Sequence, residues 1–275
     1  MQLSPGLTWF NRAFVFDPRI HPAALSDQDL ETLQIFGVRS VLAVADASAH
    51  PPTPEGLFAH FDELVGKQLP RLERSGLRAY AALGVHPRVL PHRGLGQVLE
   101  ALPHYFKGGK VIALGQLGLA RGDEREEEAL LEQLALAQQF NRPAIVSAPG
   151  LEKERLTRRL LAVLQRTELN PARILVDGAV GRTVRTIREL GYVAGLTLHP
   201  DHLSVEKAVA LVKSLGPERL VLDTAAGDGA SDILALGRAA HRLAKAGLST
   251  KVISRVTEEN AAALFGVQPR ARVFS

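Results

Sequence analysis

Ile174-Leu-Val-Asp177, then Gly178-Ala-Val-Gly-Arg-Thr-Val-Arg-Thr-Ile-Arg-Glu-Leu-Gly191, then Val193-Ala-Gly-Leu-Thr-Leu198 running into His199, is one strand–helix–strand unit. An apolar run ends in a polar residue, a helix-like stretch follows, and a second apolar run ends in another polar residue. The same unit recurs in both directions. Its runs end at Asp17, Asp46, His86, Gln116, Ser147, Asp177, His199 and Thr224. The strands expected are Ala13–Asp17, Ser40–Ala45, Leu77–Gly84, Val111–Gln116, Ala144–Ser147, Ile174–Asp177, Val193–Leu198 and Leu220–Thr224. They are near-continuous in apolar residues rather than alternating, as strands are when helices cover a parallel sheet. A strand–helix unit repeated eight times predicts the α/β class and a (β/α)8 TIM barrel, with any chemistry at the C-terminal strand ends.

The helix signals agree. Ser26 opens a helix with an acid three residues on, and Gly37 closes it. A long helix runs from the loop His50–Pro54 to about Ser75. Glu126–Phe140, Ser204–Leu215, Ser231–Ala246 and Val256–Phe265 carry one-faced apolar spacing. The acids of Asp123–Glu128 read as a solvated helix start, where they suit the helix dipole.

The 275 residues fit one domain, 1–275, with the barrel over about 13–266 and a tail over 267–275. There is no cysteine, which excludes disulfides and thiolate chemistry. The net charge of +4 comes with no run of five like charges and no basic groove interleaved with aromatics, so nucleic acid is not an expected partner. No leader-like start and no apolar run of roughly 18 residues is visible; the expectation is a cytoplasmic protein with no membrane partner.

Several stretches carry a family likeness: Phe16-Asp-Pro-Arg-Ile-His21, Ala82-Leu-Gly-Val-His-Pro-Arg88, Ile112-Ala-Leu-Gly-Gln-Leu-Gly-Leu119, Gly195-Leu-Thr-Leu198 and Glu259-Asn-Ala-Ala-Ala-Leu-Phe-Gly266. In order and spacing the chain resembles the TatD-related metal-dependent hydrolases of the amidohydrolase superfamily, closest to a branch of TIM-barrel metal-dependent hydrolases. That resemblance implies two divalent metals held by an Asp-x-His-x-His start on strand 1, a Glu on strand 4, a His on strand 5, a His on strand 6 and an Asp on strand 8. Such metals make hydroxide from water near neutral pH.

Against that pattern Asp17 and His21 remain, and His86 is kept as in the closest branch. Arg19 stands at the first histidine, Gln116 at the Glu, Ser147 and Gly178 at the next two histidines, and Ala225 at the Asp, with Thr224 beside it and Asp228 offset by three residues. A guanidinium is always protonated. Two unit charges at about 4 Å interact by roughly 4 kcal/mol at an effective dielectric of 20, and a dication doubles this repulsion.

The expectation is therefore a TatD-like barrel with a degenerate metal site, without ordinary two-metal hydrolysis. Its mouth would take an anionic small molecule or a protein partner through Arg19, Arg88, Gln116, Ser147, His199 and Thr224. Arg19, Arg88, Arg121 and Arg182 all fall in expected βα loops and would favour a phosphate or carboxylate. Equally, Arg182, Arg185 and Arg188 form one solvated face. One alternative is an active metal-dependent hydrolase, on phosphoesters or a related substrate, with one divalent zinc, manganese or nickel on Asp17, His21 and His86 and a third imidazole from His199. Another is a structural scaffold. Asp17, Asp46, Asp177 and Asp223 also suit plain capping of loop amides, and Ser147 would be a nucleophile only beside a base. Arg19 is expected to fill the metal cavity and pair with Asp17 or another strand-end acid.

Overall fold

In the computed structural model, which describes residues 14–45, 47, 51–147 and 152–268, eight strands form one sheet in chain order. They are β1 Val15–Ile20, β2 Val38–Val44, β3 Arg78–Leu83, β4 Val111–Gly118, β5 Ala144–Ser147, β6 Ile174–Asp177, β7 Val193–Thr197 and β8 Leu220–Asp223. Each pairs in parallel with the next. The ring closes beyond the end of β8: Ile20 bridges Ala226 in parallel, and the His21 N–H donates to the Ala226 carbonyl at 2.7 Å. This is the expected (β/α)8 barrel.

The helices that cover it are α1 Asp27–Ile35, α2 Pro54–Glu63 continued through a π-helical turn at Leu64–Gln68 into Leu69–Arg74, α3 Leu95–Phe106, α4 Glu124–Gln139, α5 Lys153–Leu164, α6 Gly181–Glu189, α7 Val205–Leu215 and α8 Ala235–Lys245. The last, α9, joins Thr250–Ser254 and Asn260–Phe265 through Arg255–Glu259. Ser26 caps α1 in a reciprocal box with Asp29, and Gly37 follows with φ 89°, a conformation that costs a Cβ-free residue nothing.

Strand side chains sort by parity. Val41, Ala43, Ala144, Val146, Ile174, Val176, Leu220 and Leu222 pack outward against the helices. Leu42, Val44, Ile145, Leu175, Val193 and Val221 face inward. The inner layer meets α9, whose Ala261, Ala262, Leu264 and Phe265 plug the lower end of the barrel. Phe16 and Phe265 meet edge to face, with centroids 6.0 Å apart. Further along the inner parity lie Ser147, Asp177 and Asp223, each two residues on, and Thr197, four residues beyond Val193, at the upper end.

Of the boundaries that differ from expectation, four have a local cause or consequence. Strand β1 runs past Pro18 to Ile20, because the irregularity between Asp17 and Ile20 absorbs the proline's missing N–H. Arg19 is therefore a strand residue rather than a loop residue. Strand β4 runs on to Gly118 through a second irregularity. Helix α8 starts at Ala235 instead of Ser231, since the Ser231 hydroxyl accepts the Gly227 N–H at 2.9 Å and so serves the turn before the helix. Helix α9 starts earlier than Val256, capped by Ser249. Ala13, Asp46 and the tail beyond Gln268 lie outside the described residues. No helix among the described residues is long and apolar enough to cross a membrane.

Candidate functional site at the strand ends

The floor of the barrel mouth is a buried charge network. Arg19, 4% exposed, directs its guanidinium across the barrel and forms an ion pair with Asp177 at the end of β6. Its second nitrogen comes within 3.6 Å of Asp228, a half-exposed carboxylate in the loop after β8. Gln116 Nε2 also approaches Asp177, at 3.5 Å. The room for Asp177 comes from Gly195, where a Cβ would lie 2.5 Å from the carboxylate oxygen.

Thr197 links two acids. Its hydroxyl lies 3.1 Å from Asp177 Oδ1 and 3.2 Å from Asp223 Oδ2. One hydroxyl proton serves only one acceptor, so the other carboxyl must donate. Burial, reinforced by the neighbouring Asp177, holds Asp223 well above the usual carboxylate range; in Asp177 burial acts the same way, but the charge and hydrogen bond of Arg19, with the hydrogen bonding of the cluster, hold its carboxyl below that range. The chain of donors then runs from the Asp223 carboxyl to the Thr197 hydroxyl to the Asp177 carboxylate. Two carboxyl groups carry one negative charge between them, and Arg19 balances it.

Asp17 is separate. It accepts the Thr224 hydroxyl, and the backbone N–H groups of Arg19 and Thr224 at 3.3 Å each. Burial nevertheless pushes its carboxyl up to about 6. Backbone-amide use thus describes Asp17 in part, while the hydrogen bonds of the Asp177 and Asp223 carboxyls are to side chains.

The expected site residues are distributed as follows. Thr224 is fully buried against Asp17. His21 and His86 are both buried. His86 Nδ1 accepts the Arg88 N–H at 3.1 Å, which puts the imidazole proton on Nε2. His199 accepts the Asp201 N–H on Nδ1 at 3.1 Å and has the Asp228 carbonyl 3.0 Å from Nε2, so backbone occupies both ring nitrogens. The Ser147 hydroxyl is buried and makes no hydrogen bond among the described residues, and no base touches it. The Gly227–Gly229 stretch is a turn, closed by the Asp228 N–H on the Ala225 carbonyl.

The four arginines do not gather. Arg19 is buried in the floor. Arg121 pairs with Asp123 at 3.1 Å, and Arg182 reaches Glu154 at 3.8 Å. Arg88 is exposed on the rim and makes no ion pair among the described residues. Arg182 and Arg185 both face solvent on α6.

The sequence reading passed over Thr197, Lys153 and His202. Inner parity marks Thr197, two residues beyond Gly195 and in register with Asp223. Lys153 opens α5, and its Nζ lies 2.5 Å from Nδ1 of His202, which stands in the loop after β7. Burial pushes the Lys153 amine down to about 8 and, with Lys153 beside it, His202 down to about 4. No group of three or more His, Asp or Glu side chains among the described residues is arranged to hold a metal ion.

The model of the family described as TatD related DNase matches residues 63–266. An uncharacterized metal-dependent hydrolase of Methanocaldococcus jannaschii is 28% identical over 248 residues, 90% of this chain and 98% of that protein. A second, from Escherichia coli, is 33% identical over 159 residues, 54% of this chain and 58% of that one. Among solved structures, the TatD-like protein of Archaeoglobus fulgidus superposes with a TM-score of 0.77 at 25% identity, covering 92% of this chain and 100% of that one. The phosphotriesterase homology protein of Escherichia coli shares the fold, with a TM-score of 0.70 at 15% identity over 93% of this chain and 99% of that one.

Proposed function

The chain belongs to the family of TatD-related DNases, and from that premise we propose that an internal arginine has replaced the metal charge in this barrel, so that two-metal hydrolysis is lost and the mouth holds a ligand instead of cleaving one. The observation that carries the reading is the buried ion pair between Arg19 and Asp177. Arg19 stands where the family's strand 1 pattern has a metal-binding histidine. A dication placed there would face a permanent positive charge and would have to take Asp177 from it.

The chemistry of the remaining donors supports the same reading. Gln116, Ser147, Gly178 and Ala225 bring no charge to the positions of family ligands. His199 is committed to backbone on both nitrogens, and His86 carries its proton on Nε2. The residues present do not fit a binuclear metal centre, and nuclease chemistry of the kind the family name implies has no metal-bound hydroxide to use.

For the ligand, Arg88 is an exposed cation with no ion pair among the described residues, and a phosphate or carboxylate is the group it would take. Titration of inorganic phosphate onto the protein should show saturable binding that Arg88→Gln weakens at least tenfold. Equal binding by the variant would remove Arg88 from the reading.

The deciding test is metal content. The protein is exposed to zinc, manganese and nickel, desalted and analysed by elemental mass spectrometry; far less than one metal per chain is expected. Two retained metals per chain would overturn the proposal. One would favour the mononuclear hydrolase on Asp17, His21 and His86, in which His21→Ala removes metal and activity together.

A further inference from the structure

Above β6 and beside the Arg19–Asp177 pair, a lysine and a histidine from distant parts of the chain meet at the barrel mouth. Lys153 Nζ is 2.5 Å from His202 Nδ1. Both residues are half-buried, so they are shielded from bulk water but open to a small molecule. Two nitrogens this close share a proton, and one of them must offer a lone pair.

Three features favour the uncharged amine. Lys153 is the first residue of a twelve-residue helix, where the positive end of the helix dipole disfavours an ammonium. The Arg19 guanidinium is nearby, and its field acts in the same direction. Burial adds its own penalty for charge, only partly offset by Asp177 and Asp223.

Gly178 permits the close approach of the pair. A Cβ there would lie 3.0 Å from Lys153 Nζ and 3.3 Å from His202 Nδ1. The glycine that follows β6 thus lets the lysine and the histidine come together over the strand end.

We infer that Lys153, with His202 as its proton partner, is a carbonyl-capturing site that forms an imine with small uncharged aldehydes or ketones. The Lys153 nitrogen attacks the carbonyl carbon, and the C–O π pair moves to oxygen. His202 Nδ1 takes the proton that the nitrogen sheds and passes it to the alkoxide, which makes the carbinolamine hydroxyl. The nitrogen's second proton follows by the same route, and the hydroxyl leaves as water when the C=N bond forms. Amine and carbonyl give imine and one water, with no change of oxidation state. An uncharged carbonyl compound suits the place, because the adjacent guanidinium is committed to Asp177 and leaves no cation for a carboxylate. The inference goes beyond the proposed ligand-holding mouth and stands whether or not Arg88 binds anions.

The test is reductive trapping. The intact protein is treated with glycolaldehyde and cyanoborohydride at pH 7, and adducts are located by peptide mass spectrometry. The chain has seven other lysines, which serve as internal references. Lys153 should be modified at least tenfold faster than any of them, at a rate that saturates with glycolaldehyde concentration. A rate no faster than the reference lysines, or one that stays linear in aldehyde, overturns the site. His202→Asn should bring the Lys153 rate down to the reference rate while the other seven lysines keep theirs. An unchanged Lys153 rate in a folded His202→Asn protein removes the histidine's role and with it the proposal. Should that variant fail to fold, the saturation measurement on the unaltered chain decides alone.

Discussion

Arg19 and Asp177 hold each other in place, and neither is stable alone. Arg19→Met leaves Asp177 buried without its counter-ion, so a loss of about 3–5 kcal/mol is expected in urea unfolding at pH 7. Adding Asp177→Asn should recover much of it, because the orphaned charge is then gone. Asp17 makes a second prediction. Its carboxyl titrates at about 6 in the folded protein against 3.8 as an ordinary group, so the native state binds more protons between those values. Stability from this group is present below about pH 4 and falls as pH rises to about 6, by up to roughly 3 kcal/mol. His202 has the opposite sign: held neutral down to about 4, it adds stability as pH rises from about 4 to 6.5. The two offset in the natural protein, so the difference between its stability curve and that of Asp17→Asn is the measurement; a flat difference between pH 4 and 6 would refute the assignment. The acids Asp17 and Asp177 were legible from strand-end positions, and the replacement at Arg19 from the family resemblance. The partners were not. Both faces of a barrel strand are apolar, so no alternation says which parity faces the interior, and Thr197 went unread. Lys153 and His202 lie far apart in the chain, and only the ring of strands brings them together.

At the scale of elements, the loop from β4 into α4 is tied by one side chain. Glu126, 2% exposed, accepts the backbone N–H groups of Ala120, Arg121 and Gly122, while Asp123 caps the helix through the Glu126 N–H at 3.0 Å. The acidic start of α4 is therefore two things at once: exposed acids in the field of the helix dipole, and one buried carboxylate that serves a loop. Glu126→Ala should cost about 2–4 kcal/mol in thermal or urea unfolding, since buried amides lose their acceptor. Glu128→Ala, on the same helix, should cost under about 0.5 kcal/mol. A capping signal made α1 legible, with Ser26 accepting the Asp29 N–H, whereas α4 and α7 were legible from apolar spacing, and Asp123 and Ser204 cap them. The start of α8 misled because a serine can serve the preceding turn as well as the helix, and spacing alone does not separate the two.

The whole molecule divides along the barrel axis. The lower end is an apolar layer sealed by α9; the upper end is polar and buried at the same level in every strand that carries Ser147, Asp177, Thr197 or Asp223. Phe265→Ala opens a cavity against Phe16 and is expected to cost about 3–5 kcal/mol while leaving the trapping rate at Lys153 unchanged within twofold. A variant that lost the Lys153 reactivity along with stability would show the two ends to be coupled. The eight-unit repeat made this architecture readable, because each unit declares itself by its own run of apolar residues. The plug was read only as a helix packing back, since which helix covers an open end is a matter of the closed ring and not of any one segment.

The ion pair in the floor also bears on how the molecule is made. A carboxylate buried inside a barrel needs a counter-charge at the moment the ring closes. Here that charge is covalently part of the first strand, synthesised before the acid it will meet. Every newly made chain carries its own supply in fixed one-to-one ratio, so the yield of folded protein should be indifferent to the metal status of the cell, and equal expression in chelator-treated and metal-replete cultures is the simple check.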